Sequence, residues 1–423
     1  REEILKQSRF TFRNILRDQN FGELLTGHEK PESYERLFCS IQSLNSQDLC
    51  YKLQEDYYDY IVIDEFHNAA ANGYQELLEH FKPKYLLALT ATPERHDGLD
   101  ILQYFDYHIA AEIRLPDAIN RKLLSPFQYF GISDSVDLST LKWSNGGYDK
   151  TQLNNIFTGN HVRANLVLQK MHEILLDISE CRALCFCVSQ NHAEFMNDFF
   201  NAHGVKSAVL TAQSSVQERN SVQGRLIAKE INVICVVDLY NEGVDIKEID
   251  TVLFLRPTES LTVFLQQLGR GLRLHEDKEC LTVLDFVGNA HKNFNFEYRF
   301  RAMLGPSGEN VIDEMEHGFP HLPAGCHIQL EKEAQKRILE NIKGSISAGR
   351  QAMLVSRIAT FESETGKPLT LENFVDYHHL KLSTIYLRAL FARLCQRANL
   401  RDDFEFAEED RLRKGLLRIC HLN

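Results

Sequence analysis

Short apolar runs alternate along this chain with longer amphipathic stretches, and the alternation is its dominant pattern. Tyr60-Ile-Val-Ile63, Tyr85-Leu-Leu-Ala-Leu89, Ala183–Val188, Val205–Leu210, Val233–Val237, Thr251–Leu255 and Leu281–Phe286 each read as a short buried strand. Phe21–Leu25 and Leu37–Ser40 are shorter strand candidates. Helical spacing covers Glu2–Leu16, Arg163–Leu176, Leu330–Ile342, Gln351–Glu362, Leu371–His378 and Thr384–Ala398. Strands alternating with helices predict an α/β fold with doubly wound parallel sheets. The pattern divides the chain into a first α/β domain over 1–115, a connector over 116–150, a second α/β domain over 151–290 and a mostly helical region over 291–423. The connector holds Pro116, Pro126, Gly131, Gly146 and Gly147, with one short strand from Phe127 to Ile132.

Polar residues with chemical potential cluster where these strands end. Asp64 and Glu65 follow the run at 60–63, and ligands of open α/β sheets bind at the carboxyl ends of strands. One carboxylate of such a pair is suited to hold Mg²⁺ and the other to orient a water. Thr90 and Thr92 close the next run. Ser189 and Thr211 end two strands of the second domain, where hydroxyls suit contact with a nucleic-acid backbone. Gly243 can let the backbone approach a phosphate, and a plain turn would use it equally. Arg270 and Arg273, at i, i+3 spacing, should share one side of one helix. They read either as a solvated face or as permanently charged, planar donors to a terminal phosphate.

These blocks together resemble superfamily 2 DExH-box helicases and translocases. Asp64-Glu65-Phe66-His67 matches the D-E-x-H box, and Gln266-Gln-Leu-Gly269-Arg270-Gly-Leu-Arg273 matches the Q-x-x-G-R-x-x-R box. Asp238 to Ile246, with Gly243 and Asp245, resembles motif V, although Val237 stands where the family commonly has Thr. Thr90-Ala-Thr92 corresponds to motif III, Ile41-Gln42-Ser43-Leu44 to motif Ib, Arg1–Gln7 to motif Ia, and Ala183–Gln190 to motif IV. Within the family the chain is most similar to bacterial proteins related to restriction-enzyme helicase subunits. In one branch of these the motor follows a phospholipase D-like nuclease and precedes a C-terminal domain of unknown function.

The resemblance implies two RecA-like domains with ATP and Mg²⁺ between them. Asp64 and Glu65 would serve metal and water, with His67 and Gln266 completing their boxes. Gly243, Asp245, Arg270 and Arg273 would lie on the nucleotide side. Thr90 and Thr92 would couple the cleft to the track, and Arg1, Gln42, Ser43, Ser189 and Thr211 would touch nucleic acid, most naturally DNA. A nuclease domain in the same full-length chain is the implied partner.

No G-x-x-x-x-G-K-[ST] loop occurs anywhere in the 423 residues. Such a loop would cradle the phosphates with backbone amides and supply a Lys. The expectation is therefore a fragment, with the first strand and phosphate loop upstream, that turns over little ATP alone. The rival is a natural pseudo-motor, a non-catalytic nucleic-acid-binding or regulatory module. Net charge of −12 argues against an obligate nucleic-acid coat but leaves room for a local positive groove. The 10 cysteines lack zinc spacing. Cys185 and Cys187, two apart on one strand, read as core residues facing the same side, and a reduced cytoplasm fits best. No apolar run reaches the roughly 18 residues of a membrane span. Trp143 is expected to pack rather than to stack on a base, and Arg411–Arg418 to form a solvated helix.

Overall fold

The computed structural model describes residues 2–66, 72–90, 102–105, 108–144, 147–237, 246–304, 310–347, 351–365, 367–378 and 380–420. They form two compact units, Arg1–Glu112 and Ile113–Asn423.

Unit 1 runs α1 (Glu2–Leu16), β1 (Glu23–Leu25), β2 (Leu37–Cys39), α2 (Ile41–Ser46), α3 (Leu49–Lys52), β3 (Tyr60–Ile63), α4 (Asn72–His80) and β4 (Tyr85–Ala88). The strands pair in parallel, β1 with β2 and β3 with β4, with Tyr60 opposite Tyr85 and Ile63 opposite Ala88. One core joins them through Leu25, Leu44, Leu49, Ile63, Phe66, Leu77 and Phe81. Arg13 ties α1 to the following turn by donating to the carbonyls of Phe21 and Gly22 at 2.8 and 3.0 Å. The run 60–63, expected to be buried, is only half so. Ile63 is buried, but Tyr60 and Val62 are exposed, as are Tyr85 and Leu87 opposite them. The strand period of two sends alternate residues to the two faces, and the core cluster covers one of them.

Unit 2 adds α5 (Leu115–Asn120), β5 (Phe127–Asp137), β6 (Trp143–Ser144), β7 (Gly147–Tyr148), α6 (Lys150–Phe157), α7 (His161–Ile174), β8 (Ala183–Phe186), α8 (Gln190–Ala202), β9 (Ser207–Leu210), α9 (Val216–Ile227), β10 (Val233–Val236), β11 (Thr251–Phe254), α10 (Leu261–Gly271), β12 (Leu281–Asn289), α11 (Glu297–Met303), α12 (Val311–Glu316), β13 (His327–Leu330) and α13 (Lys332–Ser347). The chain closes with α14 (Gln351–Thr365), α15 (Leu371–Tyr377), α16 (Leu382–Tyr386), α17 (Phe391–Arg397) and α18 (Glu409–Ile419). Seven strands form one sheet in the order β13-β5-β12-β11-β8-β10-β9, with every pair parallel. Period-two alternation splits its residues between two cores. Leu184, Phe186, Ile234, Val236, Val252 and Phe254 enter one, with α6, α9 and α10. Ala183, Cys185, Val233, Cys235 and Leu253 enter the other, with α7 and α8. Helical cover on both faces is what near-continuous apolar strands require.

The α/β class with parallel sheets therefore stands, and three local expectations change. The strand in the stretch read as a connector extends to Asp137 and pairs with both β12 and β13. The region read as helical contributes β13 to that sheet. The single helix expected over Thr384–Ala398 is two, α16 and α17, because Leu390 takes an extended backbone and starts the second. Trp143 packs inside unit 2, stacked on His291 at 5.2 Å and edge-on to Tyr148 at 4.8 Å. The charges of α18 are largely paired within the helix, Arg413 and Lys414 with Asp410. Among the described residues no helix is long and apolar enough to cross a membrane.

Candidate functional site

In unit 1 the candidate residues leave the carboxyl ends of two paired strands. Asp64 is the first residue after β3, and Thr90 lies two beyond β4. Since the strands are parallel and in register, both groups sit at the same sheet edge. The turn there is fixed by backbone bonds, Leu89 N to Ile63 O at 2.9 Å and Phe66 N to Leu89 O at 3.0 Å. Phe66 is fully buried and anchors the turn from below. Asp64 is exposed, and one of its carboxylate oxygens accepts from the Glu65 amide at 2.9 Å.

Glu65 has φ of 52°, a left-handed conformation. For a residue with a Cβ that conformation costs about 1–2 kcal/mol. Strain of this kind persists where the surroundings over-determine it and collects at functional positions. Here the two strand-end hydrogen bonds and buried Phe66 enforce it, and the half-buried Glu65 side chain leaves the sheet edge beside Asp64.

Gln42 and Ser43 lie on α2, Gln42 exposed and Ser43 half-buried. The helix is capped by Ser40. The Ser40 hydroxyl accepts from the Ser43 amide at 3.1 Å and lies 3.0 Å from the Ser43 hydroxyl. Arg1, His67, Thr92, Gly243 and Asp245 lie outside the described residues.

In unit 2 the candidates separate onto two sheet edges. Ser189 follows β8, and Thr211 follows β9 directly, so both occupy the carboxyl edge. Each is engaged locally. Ser189 caps α8 by accepting from the His192 amide and also contacts Asn154, while Thr211 accepts from the Gln213 amide at 3.2 Å. Gln266 and Arg270 lie on α10, which starts beyond the carboxyl end of β11 and finishes against Leu281, the first residue of β12. Arg270 is thereby carried to the opposite, amino edge. At that contact a Cβ on Gly271 would stand 2.2 Å from Leu281 Cδ1, so only glycine lets the helix approach.

The expectation that Arg270 and Arg273 share one helix is corrected. The helix ends at Gly271, Leu272 caps it, and Arg273 follows the cap. That end is held by donors from outside the helix. Lys278, itself buried, donates to the carbonyls of Gly271, Ile249 and Lys247 at 2.9, 3.0 and 2.9 Å. Ser125 reaches the carbonyls of Leu272 and Arg273 at 2.7 and 3.3 Å. Burial pushes the Lys278 ammonium down to about 8. Arg270 and Arg273 are both half-buried.

Behind α10 lies a polar network that the apolar pattern did not reveal. Gln267 is fully buried and accepts from the Thr258 hydroxyl at 3.3 Å. Arg299, also buried, donates to the Thr258 carbonyl and to Asp285 at 3.0 Å. Asp285 in turn accepts from the Tyr129 hydroxyl. Burial raises the Asp285 carboxyl above its ordinary value, against the pull of Arg299. The guanidinium of Arg299 lies 4.9 Å from the ring centres of Phe264 and Phe294. The signal in the sequence was a single Arg inside the aromatic stretch Phe294 to Phe300.

Residues 1–95 match the family described as Type III restriction enzyme, res subunit, and residues 167–275 match the Helicase conserved C-terminal domain. The chain is 26% identical over 263 residues to the Saccharomyces cerevisiae protein IRC3, named as an ATP-dependent helicase, covering 61% of this chain and 38% of that one. It is 26% identical over 317 residues to the Type I restriction enzyme EcoAI endonuclease subunit of Escherichia coli, covering 65% and 39%. It is also 23% identical over 257 residues to the DNA 3'-5' translocase XPB2 of Sulfurisphaera tokodaii, covering 53% and 57%. The fold matches a fragment of an HsdR subunit of a type I restriction enzyme from Vibrio vulnificus with a TM-score of 0.54 and 23% identity, over 76% of this chain and 57% of that chain. The chain thus spans less than two thirds of the length of these relatives.

Proposed function

Because this chain is a superfamily 2 helicase-type protein, with a restriction-subunit segment followed by a helicase C-terminal segment, we propose that the complete protein is an ATP-dependent motor acting on nucleic acid. The observation that carries this reading is the unit 1 sheet edge. Asp64, strained Glu65 and Thr90 emerge together from paired parallel strands, the position where such sheets bind ligands.

In the proposed mechanism Asp64 would hold Mg²⁺ and Glu65 would orient the attacking water. When bound, the ion would supply neutralisation of charge on the transferring phosphoryl group. Arg270 and Arg273 approach from unit 2 once the two units close on the nucleotide, and Gln266 lies beside them on the same segment. Gly243 and Asp245 complete the nucleotide side. Arginines in such a role are worth about 10³ to 10⁵ in rate. Thr90 and Thr92 report closure to the nucleic-acid side, where Arg1, Gln42, Ser43, Ser189 and Thr211 meet the backbone. The split of unit 2 supports this division, with the arginines near one sheet edge and the hydroxyls on the other.

DNA is the proposed track, because the relatives include a restriction-endonuclease subunit and a DNA translocase by name. A nuclease domain in the same full-length chain is the proposed partner on the same ground. The free cysteines suit a reduced cytoplasm. These 423 residues contain no phosphate-loop motif, so by themselves they are proposed to turn over little ATP.

The test is Glu65→Gln in the complete protein, followed by nucleic-acid-stimulated phosphate release and nucleotide binding. Turnover should vanish while ATP stays bound. Normal hydrolysis by that variant removes Glu65 from the role.

A further inference from the structure

The core between the unit 2 sheet and α7–α8 contains a group of thiols that the proposed motor does not use. Cys185 on β8 lies in register with Cys235 on β10. Cys187, two residues beyond Cys185, returns to the same face. All three are fully buried. Their sulfurs lie within 4.8 Å of one another, and Cys185 and Cys187 are 3.8 Å apart. Three thiolates bound to one ion at about 2.3 Å place their sulfurs about 4 Å apart. The folded backbone therefore holds the sulfurs within about an ångström of a trigonal ligand set.

We infer that Cys185, Cys187 and Cys235 form a binding site for a soft monovalent d¹⁰ cation, of which Cu(I) is the biological representative. Ligand softness and ligand number both point that way. Thiolates select soft ions. Structural zinc takes four ligands, and among the described residues the cluster offers three. Each sulfur that binds does so as a thiolate and releases its proton to water.

His192, on the neighbouring helix α8, is a local irregularity beside this core. It is fully buried and pushed down by burial to about 4, so its ring is neutral. Its Nδ1 accepts from the Val188 amide at 3.2 Å, which leaves the proton on Nε2, and Nε2 has no hydrogen-bond partner.

Occupancy would tie β8 to β10, the strands that lead to Ser189 and to the 238–245 segment. It would stabilise unit 2 as any ligand of the folded state does. The inference stands on these three side chains and is independent of the motor reading.

The experiment is an anaerobic titration of the 423-residue chain with Cu(I), delivered as its acetonitrile complex against a chromophoric Cu(I) chelator. Uptake of one ion per chain is expected, with thiolate-to-copper charge-transfer absorption and a raised melting temperature. X-ray absorption should give three sulfur neighbours at about 2.3 Å. Cys187→Ala and Cys235→Ala should each weaken uptake at least as much as the roughly 100-fold that loss of an outer partner costs a metal site. Cys326→Ala and Cys420→Ala should leave it unchanged. Thermal unfolding of each apo variant shows whether it is folded, and two ligand variants guard against the failure of one. Absence of uptake, uptake unaltered in both ligand variants, or a coordination shell without three sulfurs overturns the assignment.

Discussion

The β3–β4 pair of unit 1 and the seven-stranded sheet of unit 2 are built from similar apolar runs and buried to very different degrees. In unit 2, β8, β10 and β11 are buried at every position, because helices lie on both faces of the sheet. In unit 1, β3 and β4 alternate between covered and exposed positions, with Tyr60 stacked on Tyr85 at 4.7 Å on the open face. Composition is therefore a poor guide to the energetic weight of a strand, which depends on how many faces are packed. The sites follow the same division. Glu65 is held by a few backbone bonds on a thinly covered pair, whereas the segment bearing Arg270 and Arg273 is fixed by the buried side chains of Lys278 and Ser125.

The sharpest way to break this contrast is Arg299→Met. The substitution leaves Asp285 buried without its charged partner, and loss of one member of a buried pair costs about 3–5 kcal/mol. Urea unfolding should show that loss, and turnover by the complete protein should fall because the Thr258–Gln267 support behind α10 is gone. A change below about 1 kcal/mol would show that the network is not what fixes unit 2.

Next comes a matched pair of truncations. Leu253→Ala, at a fully buried position, should cost about 2–5 kcal/mol. Leu87→Ala, on the open face of β4, should stay within about 0.5 kcal/mol. Equal costs would mean that the open face of unit 1 is covered in solution.

Much of this contrast escaped the sequence for identifiable reasons. Most of the strands and the acidic pair at a strand end were legible, because apolar runs and strand-end carboxylates are local signals. Whether both faces of a run are covered is not local, and so Val62 and Leu87 read like Val233 and Leu253. The end of α10 was equally hidden. Gly269 and Gly271 weaken the helix at that point, but the donors that fix its end come from outside it, Lys278 and Ser125, the latter well over a hundred residues earlier. The edge strand β13 is short and lies between Pro323-Ala-Gly325 and a helix, so a helical pattern absorbed it.

A smaller effect separates strain from chemistry at Glu65. Glu65→Gly keeps the left-handed turn without a Cβ and should stabilise unit 1 by about 1 kcal/mol, read as slower hydrogen exchange at Phe66 and Leu89. The same variant should abolish turnover by the complete protein. A destabilised turn would mean that the Glu65 side chain contributes more to the fold than its backbone strain removes.

The smallest predicted effect is a pH dependence at Lys278. Burial lowers this lysine to about 8 when folded, against 10.5 for the ordinary side chain. Between those values the unfolded chain binds more protons than the folded one, so the linkage relation makes stability rise with pH. Below about 8 both states are protonated, and the full penalty for burying the ammonium is present. The stability of the native chain relative to Lys278→Met should therefore climb from pH 8 to 10.5, measured by urea unfolding of both proteins at matched pH. A relative stability that falls over that range would mean that the carbonyls of Lys247, Ile249 and Gly271 outweigh burial and hold the proton on. In that case the clamp at the end of α10 would be tightest when charged, and arginine placement in unit 2 would weaken, not strengthen, in alkali.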